Sequence, residues 1–120
     1  MSAFRERRRY SRADVKWPVT FLAAKDKTGG ETENVSPSGA LVSCKDVPPL
    51  KENLRIVIKA PGHQPINVSG KVVRSTTLTP SEDSPSYGVG IQFTQISEND
   101  LRFLRSLVQN RYVKIDRRRL

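Results

Sequence analysis

Five of the thirteen arginines in this 120-residue chain stand within its first twelve positions: Arg5, Arg7, Arg8, Arg9 and Arg12. A guanidinium group is planar and always charged. It can meet a phosphate, or the O6/N7 edge of guanine, with two hydrogen bonds, and it can stack on a ring. Arg8 and Arg12 are four residues apart, which is about 13 Å in extended chain and less if the arm curls. Such a pair can hold separate ends of a mid-sized anion. Further along comes Asn34-Val-Ser36-Pro-Ser-Gly39. Asn34 and Ser36 are two apart on a strand-like segment, so their side chains share a face. Gly39 admits backbone conformations that other residues resist and leaves N–H groups open to a base edge or a phosphate. An arginine arm and a short polar turn thus form two halves of an anion-binding proposal.

Each half has a plainer reading. An arginine run is most often a solvated tail, and Asn-x-Ser-x-x-Gly is most often a turn between strands. Asn34-Val-Ser36 also matches an N-glycosylation acceptor, an idle match without a secretion signal. Little else in the chain looks chemical. The single histidine, His63, falls in the turn Pro61-Gly-His-Gln-Pro65, and the single cysteine, Cys44, follows an apolar run where a buried inert thiol is the ordinary outcome. One His and one Cys make no metal cluster of the usual spacing, so no metal and no catalytic residue is expected. Glu82-Asp83 lies in a Ser/Pro-rich loop and reads as a solvated acidic patch. No phosphate-binding glycine loop or dinucleotide fingerprint is present.

The location of the charge decides what it means. The formal net charge is +9, with +4 in residues 1–12, +4 in residues 111–120 and +1 in everything between. A nearly neutral body with two basic ends binds phosphate in some form or keeps the chain soluble. With one cysteine no intrachain disulfide can form, which favours a reducing compartment. No apolar run marks a signal peptide or approaches the ~20 residues needed to cross a bilayer. The expectation is a cytoplasmic, soluble, non-enzymatic protein.

Residues 1–13 show no apolar periodicity and read as an extended or mobile arm, 14–110 as one folded body and 111–120 as a basic tail. Val15, Trp17, Val19 and Phe21 alternate with polar positions, a half-buried strand in which Pro18 marks an edge or the beginning. Lys25 to Gly30 reads as a turn, and 31–35 as a short strand broken by Ser36-Pro-Ser-Gly39. Ala40–Ser43, Leu54–Ile58, Ile66–Ser75 and Tyr87–Phe93 are further strands. Val47-Pro-Pro-Leu50 is a loop, because consecutive prolines cannot join a ladder. Thr76–Ser86 reads as a polar loop. Gly88 and Gly90 fall on the face opposite Tyr87, Val89, Ile91 and Phe93, where something packs closely. Ser97 is a good N-cap with Asp100 three residues on, and Leu101, Leu104, Leu107 and Val108 repeat at helical spacing over 97–109. The pattern is mainly all-β: a small six-stranded antiparallel barrel with a C-terminal helix against it.

Arm, turn and their order resemble the PilZ domain family, whose pattern is Arg-x-x-x-Arg on an N-terminal arm and Asp/Asn-x-Ser-x-x-Gly on the barrel. Here these are Arg8-Arg-Tyr-Ser-Arg12 and Asn34-Val-Ser36-Pro-Ser-Gly39. Glu6-Arg-Arg-Arg-Tyr-Ser-Arg12 leading into Val15-Lys-Trp-Pro-Val19, and the late strand Tyr87-Gly-Val-Gly-Ile-Gln-Phe93 before a helix, are similar too. The resemblance covers about residues 5–110. It implies a six-stranded barrel that senses the bacterial second messenger cyclic di-GMP. Arg8 and Arg12 would hold guanine edges and phosphates, and Asn34, Ser36 and Gly39 would meet the other side of a guanine. Arg7 lies where a relative's residue influences whether one ligand or a stacked pair binds. Arg5-x-x-x-Arg9 also fits the first pattern; Arg8/Arg12 is preferred because Arg12 then directly precedes the first strand. The remaining arginines and the tail at 117–119 have no place in the motif.

The expected mechanism is a signalling one: the arm orders around the ligand and so changes the surface offered to a downstream protein partner. Two other readings compete. A nucleic-acid binder would use both basic ends, but the neutral body offers no continuous basic face, and Tyr10 is the one aromatic among the arm's charges. A PilZ-like adaptor without a nucleotide ligand would not need intact motifs.

Overall fold

The computed structural model describes residues 12–22 and 27–119, with backbone alone for 111–119. Six strands follow in order: β1 (Pro18–Leu22), β2 (Lys27–Ser36), β3 (Gly39–Cys44), β4 (Asn53–Ile58), β5 (Ile66–Thr79) and β6 (Ser86–Ile96). A helix, α1 (Glu98–Arg119), completes the chain. All neighbouring strands pair antiparallel, and the sheet closes into a barrel in the order β1-β2-β3-β6-β5-β4. Closure gives every strand two neighbours, while the end of β5 beyond Val72 pairs with β6 alone.

The inward residues are the ones the alternation selects. Val19 and Phe21, Val42 and Cys44, Leu54, Ile56 and Ile58, Ile66, Val68 and Val72, and Val89 and Ile91 are all buried. Pro18 opens β1, a position that needs no ladder N–H from it. Val15 and Trp17 are buried ahead of the strand proper. They are tied to β2 by Thr32, whose fully buried hydroxyl accepts from Trp17 N–H (2.9 Å) and donates to Val15 C=O. Ala13 and Val35 exchange two backbone hydrogen bonds (2.8 and 2.9 Å) in a single antiparallel bridge. The root of the arm is therefore stitched along β2.

Three boundaries differ from those the sequence suggests. Gly29 and Gly30 lie inside β2 rather than in a turn. A Cβ on Gly30 would come within 2.6 Å of Ser43 C=O, so this glycine serves close strand approach. Residues 23–26, part of the expected turn, lie outside the described residues, as do residues 1–11 of the arm. Thr76–Thr79 continue β5 instead of forming a loop, paired with β6 through Ser86. The helix expected over 97–109 runs to Arg119, because no Gly or Pro follows to stop it. The span 111–119 has helical backbone.

The helix begins as its signals indicate. Asp100 N–H donates to Ser97 Oγ (3.2 Å), and Leu101 N–H to Ser97 C=O (2.9 Å). Leu104 and Val108 are buried against the barrel. Phe103 stacks on Trp17 (ring centroids 6.1 Å apart) and on His63 (3.9 Å). The histidine that sequence left idle in a turn thus clasps the helix. No helix among the described residues is long and apolar enough to cross a membrane.

Candidate functional site

On the outer wall of the barrel, where β2, β3, β6 and β5 lie side by side, a cleft with a cavity volume of about 320 Å³ opens. Its lining includes Arg12, Asn34, Ser36 and Gly39, so four of the six residues proposed from sequence meet in one place. Arg7 and Arg8, the other two, lie outside the described residues. Arg12 is exposed and is placed by the Ala13–Val35 bridge immediately after it.

Asn34 reaches the cleft through a bulge. β2 and β3 pair Thr32 with Val42 and then Asn34 with Leu41, so Glu33 is the extra residue. Without it, Asn34 would follow Thr32 into the core; with it, Asn34 turns out and Val35 turns in. Beside the cleft, the displaced Glu33 accepts a 2.7 Å hydrogen bond from Lys16 Nζ. That bond holds Glu33 below the ordinary carboxylate range and raises Lys16.

The turn itself is organised by Ser36. Its Oγ accepts from Ser38 N–H and Gly39 N–H (3.2 Å each) and lies 3.1 Å from Ser38 Oγ. This corrects the sequence argument for Gly39. Its N–H is already engaged by Ser36, and its φ is not positive; among the described glycines only Gly62 has a positive φ. Gly39 is needed because a Cβ there would sit 2.1 Å from Ile91 C=O on β6. The glycine permits close strand contact under the cleft floor, where Phe93 N–H also reaches Ser38 C=O (2.9 Å).

Sequence reasoning missed Ser38, Val73, Arg74 and Gln92, all of which line the cleft. The available signal was the Val72-Val73 doublet, which breaks the inside–outside alternation just before Arg74. The expectation of close packing on Gly88 and Gly90 is met: Leu78 lies over Gly88 and Arg74 over Gly90. Among the described residues two cations, Arg12 and Arg74, line the cleft with Asn34, Ser36, Ser38 and Gln92, and no carboxylate is in that lining. Such a lining suits an anion that also presents hydrogen-bonding edges. Among the described residues no group of His, Cys, Asp and Glu could hold a metal ion. Cys44 is buried, and that burial, with Asp46 nearby, pushes its thiol up and keeps it protonated.

The PilZ domain of YcgR from Escherichia coli, solved with c-di-GMP, superposes with a TM-score of 0.63 at 15% identity. The match covers 88% of this chain and 94% of that one. The MrkH–c-di-GMP complex of K. pneumonia gives a TM-score of 0.70 at 15% identity, covering 89% of this chain and 53% of that one. The Bacillus subtilis inhibitor of motility MotI/DgrA gives 0.69 at 18% identity, covering 87% and 50%. The chain thus spans about half the length of MrkH and MotI/DgrA, and at these identities the likeness is one of fold. No curated protein sequence matches the chain. The family model for the PilZ domain matches residues 6–110. A match that runs from the arginine arm through the barrel and into the helix makes this chain a member of the PilZ domain family.

Proposed function

We propose that this protein is a non-enzymatic, cytoplasmic sensor of cyclic di-GMP that passes ligand occupancy to a partner protein. The observation that carries the reading is the shared cleft. Arg12 from the arm and Asn34, Ser36 and Gly39 from the β2–β3 turn line one recess of nucleotide-compatible size, with no carboxylate among the described lining residues. Arg8 and Arg12 clamp phosphates and guanine edges from the arm, Arg7 flanks them and sets whether one ligand or a stacked pair is held, and Asn34 and Ser36 present small polar groups to a base. The placement of Arg12 in the cleft favours the Arg8/Arg12 register over Arg5/Arg9. Two facts support the ligand: the chain's membership of the PilZ family, and the presence of c-di-GMP in solved YcgR and MrkH, which share its fold. Closure of the arm over the ligand changes the surface beside the barrel, which is how occupancy reaches a partner.

Calorimetric titration with cyclic di-GMP, beside GTP, cyclic GMP and a DNA oligonucleotide, tests this. Micromolar or tighter binding of cyclic di-GMP alone is expected, corresponding to about 8 kcal/mol. No heat at high ligand concentration overturns the reading. Equal binding of GTP would mean a general anion site, and preferential, steeply salt-dependent DNA binding would mean a nucleic-acid protein.

A further inference from the structure

Arg74 belongs to neither the arm nor the turn, yet it lines the same cleft. β5 alternates regularly from Ile66 to Val72, with Ile66, Val68, Gly70 and Val72 buried. Continued alternation would turn Arg74 into the core. Instead β5 and β6 pair Val72 with Ile91 and then Arg74 with Gly90, leaving Val73 as the extra residue of a bulge. Val73 and Arg74 both face outward as a result, and both line the cleft. The bulge is pinned from the β4 side, where Lys51 N–H donates to Val72 C=O (3.1 Å).

Gly90 then determines how Arg74 lies. Its Cγ and Nε are each 3.2 Å from the point a Cβ on residue 90 would occupy, and Cδ is 3.8 Å away. The stem lies down across β6 because nothing stands there, and it carries the guanidinium over the cleft floor.

We propose that Arg74, laid flat by the β5 bulge and by the missing side chain at Gly90, is a base-recognition residue that meets a guanine of the bound nucleotide with its planar guanidinium. This rests on the cyclic di-GMP reading and adds to it a contact on the bank opposite the arm. Planarity is the point: a guanidinium stacks on a purine or makes two hydrogen bonds to its O6/N7 edge, whereas a lysine ammonium supplies a point charge.

The test is a titration of wild type, Arg74→Ala, Arg74→Lys and Gly90→Ala with cyclic di-GMP and cyclic di-AMP, with melting curves for each. Arg74→Ala and Arg74→Lys are each expected to weaken cyclic di-GMP binding about tenfold or more. Both should keep the wild-type melting temperature, because Arg74 is exposed. Their preference for the guanine over the adenine ligand should shrink. Gly90→Ala should lose affinity in the same direction by displacing the stem. Wild type that fails to bind would overturn the functional reading itself. Wild type that binds, with Arg74→Ala within about twofold of it, overturns this inference alone. Full rescue by Arg74→Lys overturns base recognition, because charge would then suffice.

Discussion

Thr32→Val is the substitution that asks most of the fold with the least change in shape. Valine matches threonine in volume but replaces the hydroxyl with a methyl. In the native chain that hydroxyl is fully buried, accepts from Trp17 N–H and donates to Val15 C=O. The substitution leaves one backbone donor and one backbone acceptor without partners in a segment whose remaining backbone bonds to β2 are Thr32 N–H to Trp17 C=O and the Ala13–Val35 pair. Each such group costs about 1–3 kcal/mol. The extra methyl returns a little, so a net loss of about 2–4 kcal/mol is expected. At about 4 °C per kcal/mol for a domain of this size, the melting temperature should fall by about 8–16 °C. Thr32→Ser keeps the hydroxyl and should lose much less. Because the stitched segment ends at Ala13 and Arg12, Thr32→Val should also weaken ligand binding several-fold. Urea denaturation gives the stability change, and titration gives the affinity. A Thr32→Val protein within about 0.5 kcal/mol of wild type would refute the reasoning that Thr32 substitutes for missing ladder bonds between 14–17 and β2.

Two other outcomes follow from the same structure. Gly39→Ala places a Cβ 2.1 Å from Ile91 C=O, so β3 and β6 must separate; a loss of about 2–3 kcal/mol together with weaker ligand binding is expected, and unchanged urea curves would contradict it. Cys44 is 5% exposed and its thiol is held protonated by burial; iodoacetamide should leave it unmodified in native protein and alkylate it fully in guanidinium, and rapid native alkylation would contradict the burial.

The sequence made the barrel legible because most of its strands obey period two and its helix obeys period 3.6, with Ser97 marking the start. The shared face expected of Asn34 and Ser36 agrees with the cleft that both line. The bulges stayed hidden. Glu33 carries no local sign of its bulge, and the Val72-Val73 doublet breaks the alternation without saying which way Arg74 turns, which only the register with β6 fixes. Asn34 faces out because of one bulge and Arg74 because of the other, so the second cation of the cleft could not be found from spacing. Gly39 was read as a backbone-freedom residue, when its reason is the proximity of Ile91 C=O across a non-local strand pair. The lengthened β5 was missed because Thr76, Thr77 and Thr79 look like loop residues while being good strand formers.

The central claim is that cyclic di-GMP sits on the β2-β3-β6-β5 wall, between the arm and Arg74. Amide resonances of isotopically labelled protein, followed by NMR during titration with cyclic di-GMP, test this residue by residue. The account predicts large saturable shifts at Arg12, Asn34, Ser36, Gly39, Arg74 and Gly90. Thr20, Arg55 and Val57, on the β1-β4 wall across the barrel, should stay in place. Shifts concentrated on the β1-β4 wall, or no shifts at saturating ligand, would contradict the account.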